Sequence, residues 1–206
     1  RGNEMNNSRS IFNKYLLIIL FAILGVSVLP FSNINEVQAE TSQICGDGVY
    51  WELLNNNTLH IYGNGDMDNY DDYDETPWYN AEVYYDNENI TKIIIDDGVT
   101  RIGDYAFAYF YYINEIQLGS NLASIGDYSF YKVGKYQNST IKLQIPSSLK
   151  DFGNCCFNCA NIGGQLKLPI NSLYIGDYAF SETNITAVYI SEPADNDTFW
   201  GEYSFY

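Results

Sequence analysis

From residue 91 onward the apolar positions recur in a fixed pattern. Pairs of apolar residues one position apart come first, at Ile93/Ile95, Ile116/Leu118, Leu143/Ile145, Leu166/Leu168 and Val188/Ile190. A phenylalanine stands twelve residues after the second member of the first four pairs, and fifteen after the fifth. It closes a six-residue segment: IGDYAF at 102–107 and again at 175–180, IGDYSF at 125–130, FGNCCF at 152–157 and WGEYSF at 200–205. The segments begin at intervals of 23, 27, 23 and 25 residues, so the offset inside each unit holds while the connections vary.

The pairing predicts a short strand with both apolar side chains on one face. The chain then turns at Pro146, Pro169 or the Asp-Asp-Gly of 96–98. A further apolar residue follows (Val99, Leu122, Leu149), and then the six-residue segment, whose first residue and Phe point inward. Its Gly allows a turn or a close backbone approach. The slot before the Phe, filled by Ala106, Ser129, Cys156 and Ala179, takes only small residues and predicts tight packing. One such unit cannot bury its own apolar face. Stacked units bury one another's, with their strands aligned in a parallel sheet, which is a solenoid.

The order strand, Pro or loop, Leu/Val-x-x-Ile-Gly-x-x-Ala-Phe resembles the BspA-like leucine-rich repeats of bacterial and protozoan surface proteins, over residues 91–205. The resemblance implies a leucine-rich-repeat solenoid: a horseshoe of the α/β type whose short parallel strands are joined by irregular or short helical segments. The preceding CGDGVYWELLNNNTLHIYGNGDM…PWY resembles the N-terminal module found before such repeats in secreted proteins of Gram-positive gut bacteria. Residues 49–53 and 59–62 alternate around Asn-Asn-Asn-Thr, a hairpin signal. Residues 40–90 are read as an N-terminal β cap that Trp78 plugs, and 91–206 as about five repeats. No polar cap or wall-sorting motif follows the fifth Phe, so the C-terminal cap is expected to be missing and the chain to be a fragment of a longer protein.

Ahead of the cap, Arg9 and Lys14 precede an apolar run at 15–31, and Val37 and Ala39 follow. This is the order of a secretory signal peptide. Residues 1–39 are assigned to it, with 1–4 upstream of Met5. The alternative is an uncleaved anchor, although the run is short for a span and contains Gly25 and Pro30. Cleavage after Ala39 leaves a secreted or cell-surface protein without a stable membrane span.

The chain carries 10 basic and 26 acidic residues, a net charge of −16. After cleavage 7 basic and 24 acidic residues remain. That excess argues against nucleic acid and anionic lipid, and suits cationic partners.

Candidate chemistry is sparse. His60 alternates with Leu59 and Ile61, which reads as a surface or rim histidine with no catalytic motif around it. Cys155, Cys156 and Cys159 could be structural thiols, half of a disulfide or part of a zinc site; the repeat alignment favours thiols, with Cys156 in the small slot and Cys155 in the tyrosine position. With Cys45 they do not make a disulfide scaffold. The acidic loop 66–75 lacks calcium-loop spacing and reads as solvated. Asp104, Asp127, Asp177 and Glu202 share one repeat position and read as a surface column, not a glycosidase pair. Tyr105, Tyr128, Tyr178 and Tyr203 share the next position and read as a packing ladder. The outward strand positions remain as a ligand row on the concave sheet: Lys92, Ile94, Glu115, Gln117, Lys142, Gln144, Gln165, Lys167, Ala187 and Tyr189. Acceptor sequons for glycosylation stand at Asn56, Asn89, Asn138 and Asn184 and matter only in a eukaryotic source.

The resemblance implies recognition: an adhesion module for an extracellular protein or glycan, with no cofactor, metal or catalytic residue. The alternative is a non-catalytic spacer of a longer secreted enzyme.

Overall fold

The computed structural model describes residues 43–54, 57–79, 90–169, 173–190 and 198–206. All lie in one compact unit, Thr41–Tyr206. The leader assignment, Asn56 and Asn89 fall outside the described residues.

Strands β1 (Ile44–Gly46), β2 (Val49–Leu54) and β3 (Thr58–Gly63) run antiparallel, with Tyr50 opposite Tyr62 and Trp51 opposite Ile61. The alternation expected of this hairpin is present: Val49, Trp51, Leu59 and Ile61 are buried. Strand β4 (Gly65–Asp66) and a 3-10 turn at Tyr73–Glu75 follow. That turn is the only helical element among the described residues.

The rungs come next. The first holds β5 (Lys92–Ile95) and β6 (Val99–Ile102), and the second β7 (Glu115–Gln117) and β8 (Ser124–Ile125). The third holds β9 (Asp151–Phe152), the fourth β10 (Gly163–Leu168) and β11 (Tyr174–Ile175), and the fifth β12 (Asn184–Ile190) and β13 (Phe199–Trp200). β5 and β7 extend the cap hairpin in the order β1-β2-β3-β5-β7, while β10 and β12 pair separately. β4, β6, β8, β9, β11 and β13 are neighbours in a second, six-stranded sheet.

Two features depart from the expected single sheet. Each unit contributes a second strand where it leads into its Gly. And the third apolar pair forms no ladder: only a bridge between Ile141 and Ile162 joins this stretch to the next rung. Its alternation survives, with Leu143 buried and Lys142 and Gln144 exposed. This unit follows the longest interval, whose extra residues form turns around Gly134 at φ 69°. Pro146, which has no N–H to donate, ends the stretch.

The core is a column of rings. Trp78 stacks on Phe107 at 5.4 Å, Phe107 on Phe130 at 5.2 Å, and Phe130 on Phe157 at 4.9 Å. Phe157 then stacks on Phe180 at 5.3 Å and Phe180 on Phe205 at 5.0 Å. Trp78 is fully buried and takes the place a rung phenylalanine would hold, so the cap presents the first repeat with a ready-made neighbour.

The turn segments add two further ladders. Tyr105, Tyr128, Cys155, Tyr178 and Tyr203 all have φ of 53–56°. Flanked by this left-handed residue, the backbone turns alternate N–H groups toward the next rung: those of Tyr105, Phe107 and Tyr109 reach the carbonyls of Asp127, Ser129 and Tyr131 at 2.7–2.9 Å. The acidic column makes the other ladder. Asn69 Oδ1 accepts from the Asp104 N–H at 3.1 Å, Asp104 from Asp127 at 3.0 Å and Asp127 from Asn154 at 2.7 Å. Asn154 accepts from Asp177 at 2.9 Å and Asp177 from Glu202 at 2.7 Å. The column read from the sequence as mere surface is therefore a row of staples between rungs. It also explains the Gly beside it. A Cβ on Gly126 would lie 2.2 Å from Asp104 Oδ1, and one on Gly201 2.4 Å from the Asp177 nitrogen. Close approach, not a left-handed φ, is what excludes a side chain there.

A staple tests simply. Asp127→Ala removes the acceptor for the Asn154 N–H and amide, so urea unfolding should show a loss of about 1–3 kcal/mol. Asp127→Asn keeps an acceptor oxygen, as Asn154 does naturally, and should cost less than half as much. Equal losses would show that the bond is not what holds the rungs.

Candidate ligand face and the cap cluster

The outward row sits where the alternation puts it. Lys92 is in register with Glu115 and Ile94 with Gln117. Gln165 is in register with Ala187 and Lys167 with Tyr189. Glu115, Gln117, Lys142, Gln144, Gln165, Lys167 and Tyr189 are exposed, while Lys92, Ile94 and Ala187 are half-buried. The row is thus two laddered groups, with the unladdered Lys142 and Gln144 between them in sequence. Its lysines are not equivalent. Lys92 Nζ lies 2.7 Å from Glu115 Oε1, whereas Lys142 and Lys167 have no ion-pair partner among the described residues.

The face continues onto the cap, which the sequence reading left out. Glu52 is in register with His60, His60 with Ile94, and Ile94 with Gln117, one line across four strands. Tyr50 packs on Tyr62 at 5.8 Å and Tyr62 on the His60 ring at 5.4 Å. His60 is not a plain rim residue. Its Nδ1 lies 2.8 Å from Glu52 Oε1 and its Nε2 2.9 Å from Asp96 Oδ1. Partial burial opposes charging of the ring, but the bonds to Asp96 and Glu52 outweigh it and raise its pKa. The pairing of Glu52 with His60 could have been found from the hairpin register. Asp96 could not, because it arrives from the first rung.

The other candidates resolve into structure. All four cysteines are free thiols. Cys156 is buried in the small slot, Cys155 takes the left-handed tyrosine position, and Cys159 sits 3.2 Å from Glu182 Oε2. Burial raises the thiol pKa of each, which keeps them protonated at neutral pH. Cys45 is pushed up to about 12 by burial and by Asp68. No cluster of three or more His, Cys, Asp or Glu among the described residues has a metal-holding arrangement. In the acidic loop Asp72 caps the 3-10 turn and Glu75 Oε2 accepts from the Asp71 N–H.

The tyrosine ladder packs as expected, with one gap. Tyr105 stacks on Tyr128 at 5.0 Å and Tyr178 on Tyr203 at 5.2 Å. Cys155 separates the two pairs, and its side-chain bond, together with burial, pushes the Tyr128 phenol up to about 12. Tyr109 and Tyr131 flank Lys132, whose Nζ lies 5.2 and 4.6 Å from their ring centroids.

Among the described residues no helix is long and apolar enough to cross a membrane. A family model, the BspA type leucine-rich repeat region, matches residues 79–206 in six copies, where the Gly–Phe alignment counts five. The fold is similar to the crystal structure of a leucine-rich repeat protein from Eubacterium ventriosum, at a TM-score of 0.59 and 22% identity. That match covers 72% of this chain and 39% of the other, so the chain spans about two fifths of its relative's length. A T. pallidum leucine-rich repeat protein aligns at 14% identity and a TM-score of 0.41, over 70% of this chain and 81% of that one. No curated protein matches the chain.

Proposed function

The chain belongs to the BspA-type leucine-rich-repeat family, and from that premise we propose that it is a secreted or cell-surface recognition module that adheres to a host or neighbouring-cell protein or glycan through the outward face of its strands. One observation carries the reading. The strand positions that the core does not use form a largely exposed row rich in polar side chains, in register within each of its two laddered groups, with Tyr189 at one end and Tyr50 and Tyr62 at the other. Such a surface offers a ligand hydrogen bonds and ring faces. The acidic excess disfavours nucleic acid and anionic membranes. Leucine-rich repeats are binding scaffolds, and the reading assigns the chain no catalytic step.

The test is a binding screen of the purified chain against arrayed matrix proteins and glycans at two salt concentrations. A saturable partner is expected, with binding reduced about tenfold by Tyr189→Ala and by Gln117→Ala, the loss of roughly 1.4 kcal/mol each. A partner whose affinity both variants leave unchanged would move the site off this face. A blank screen on folded protein would favour the second reading, a non-catalytic spacer in a longer secreted enzyme. The column of stacked rings from Trp78 to Phe205 supports that reading, because it joins the cap to the rungs in one continuous run of contacts, as a spacer requires.

A further inference from the structure

His60 is the only histidine of the chain, and both of its ring nitrogens face carboxylates, Glu52 at 2.8 Å and Asp96 at 2.9 Å. A neutral imidazole carries one N–H and one lone pair. It can donate to one carboxylate, and it must then turn the lone pair toward the other. Only the imidazolium donates to both. The three residues come from different places: Glu52 from β2, His60 from β3, and Asp96 from the turn that leaves β5. The first two belong to the cap and the third to the first rung. The His60 side chain is 20% exposed and the carboxylates 45%, so solvent protons reach the cluster. The other titratable groups on this face are Tyr50 of β2, Tyr62 beside His60, and Lys92 of β5, which is bonded to Glu115 of β7.

We propose that Glu52, His60 and Asp96 form a protonation-controlled clasp that fastens the cap to the first rung and sets the charge at the cap end of the ligand face. The sign follows from the direction of the His60 shift. Its folded pKa is raised above the ordinary value of 6.5. The stabilisation is therefore fully present below pH 6.5 and is lost as pH rises through the folded value. With the proton gone, the ring can donate to only one of Glu52 and Asp96, so the three-residue bridge between β2, β3 and the first rung is broken at one of its two bonds, leaving the backbone bond from Asp96 N–H to the Ile61 carbonyl. The same event removes one positive charge in line with Ile94 and Gln117. Its consequence for a ligand rests on the face proposed above; the clasp does not.

A single histidine gives a single set of imidazole NMR signals, so the full chain can be titrated without a ligand. Its midpoint is expected above 6.5 and should fall in Glu52→Gln and in Asp96→Asn. A wild-type midpoint at or below 6.5 would overturn the clasp. Thermal melting supplies the second readout. Tm should drop between pH 5.5 and 8.5, and the drop should shrink in His60→Gln. An unchanged drop in that variant would also overturn the clasp. If both readouts hold while the binding screen is blank, the clasp stands and the ligand face falls.

Discussion

Phe130→Ala should lower the stability of the chain by about 3–5 kcal/mol, an effect of the size expected for any ring in the middle of the column. Phe130 is fully buried and lies between two rings, 5.2 Å from Phe107 and 4.9 Å from Phe157. Removing it deletes two stacking contacts and leaves a hollow that rigid backbone on either side cannot close. Because rungs touch mainly their neighbours, the damage should also divide the solenoid. Urea unfolding should shift its midpoint and separate into two steps, with the cap-side rungs outlasting the others. A loss below 1 kcal/mol with one sharp transition would mean that the ring column is not what couples the rungs.

Gly126→Ala comes second, at about 3 kcal/mol. The added methyl would meet Asp104 Oδ1 at 2.2 Å and the Asp104 nitrogen at 2.7 Å. Either the backbone separates, at the cost of overpacking, or the Asp104 carboxylate swings out and its bond to the Asp127 N–H is lost. Gly164→Ala is the matched control. Gly164 has φ of 84° but nothing within 4 Å of an added methyl, so only backbone strain of about 1 kcal/mol is expected. Equal losses at the two sites would show that conformation, and not proximity, explains the Gly of the repeat.

The stacking of the rungs was legible in the sequence because it depends on offsets within one unit, and twelve residues separate Ile95 from Phe107 as they separate Leu168 from Phe180. Cys156 in the small slot and Trp78 at the cap were readable for the same reason. The second sheet was not. Strands such as Ser124–Ile125 are two residues long, too short to show alternation. The column of Asp104, Asp127 and Asp177 was visible as a column, yet its bonds are to backbone N–H groups of the next rung, which a side-chain pattern does not reveal. Leu143 and Ile145 kept the strand pattern and lost the ladder, since periodicity reports which side chains are buried and not which amides are paired. Asp96 is 36 residues from His60, so the cap cluster exists only once β5 has docked on β3.

The staple ladder has a direction. Asn69 serves Asp104, Asp104 serves Asp127, and the sequence runs on through Asn154 and Asp177 to Glu202 without a reversal. Each finished rung has already spent its own N–H and offers a fresh acceptor on its far side. Assembly is thereby polarised, like a zip with a single slider. A chain delivered N-terminus first meets its template at every step.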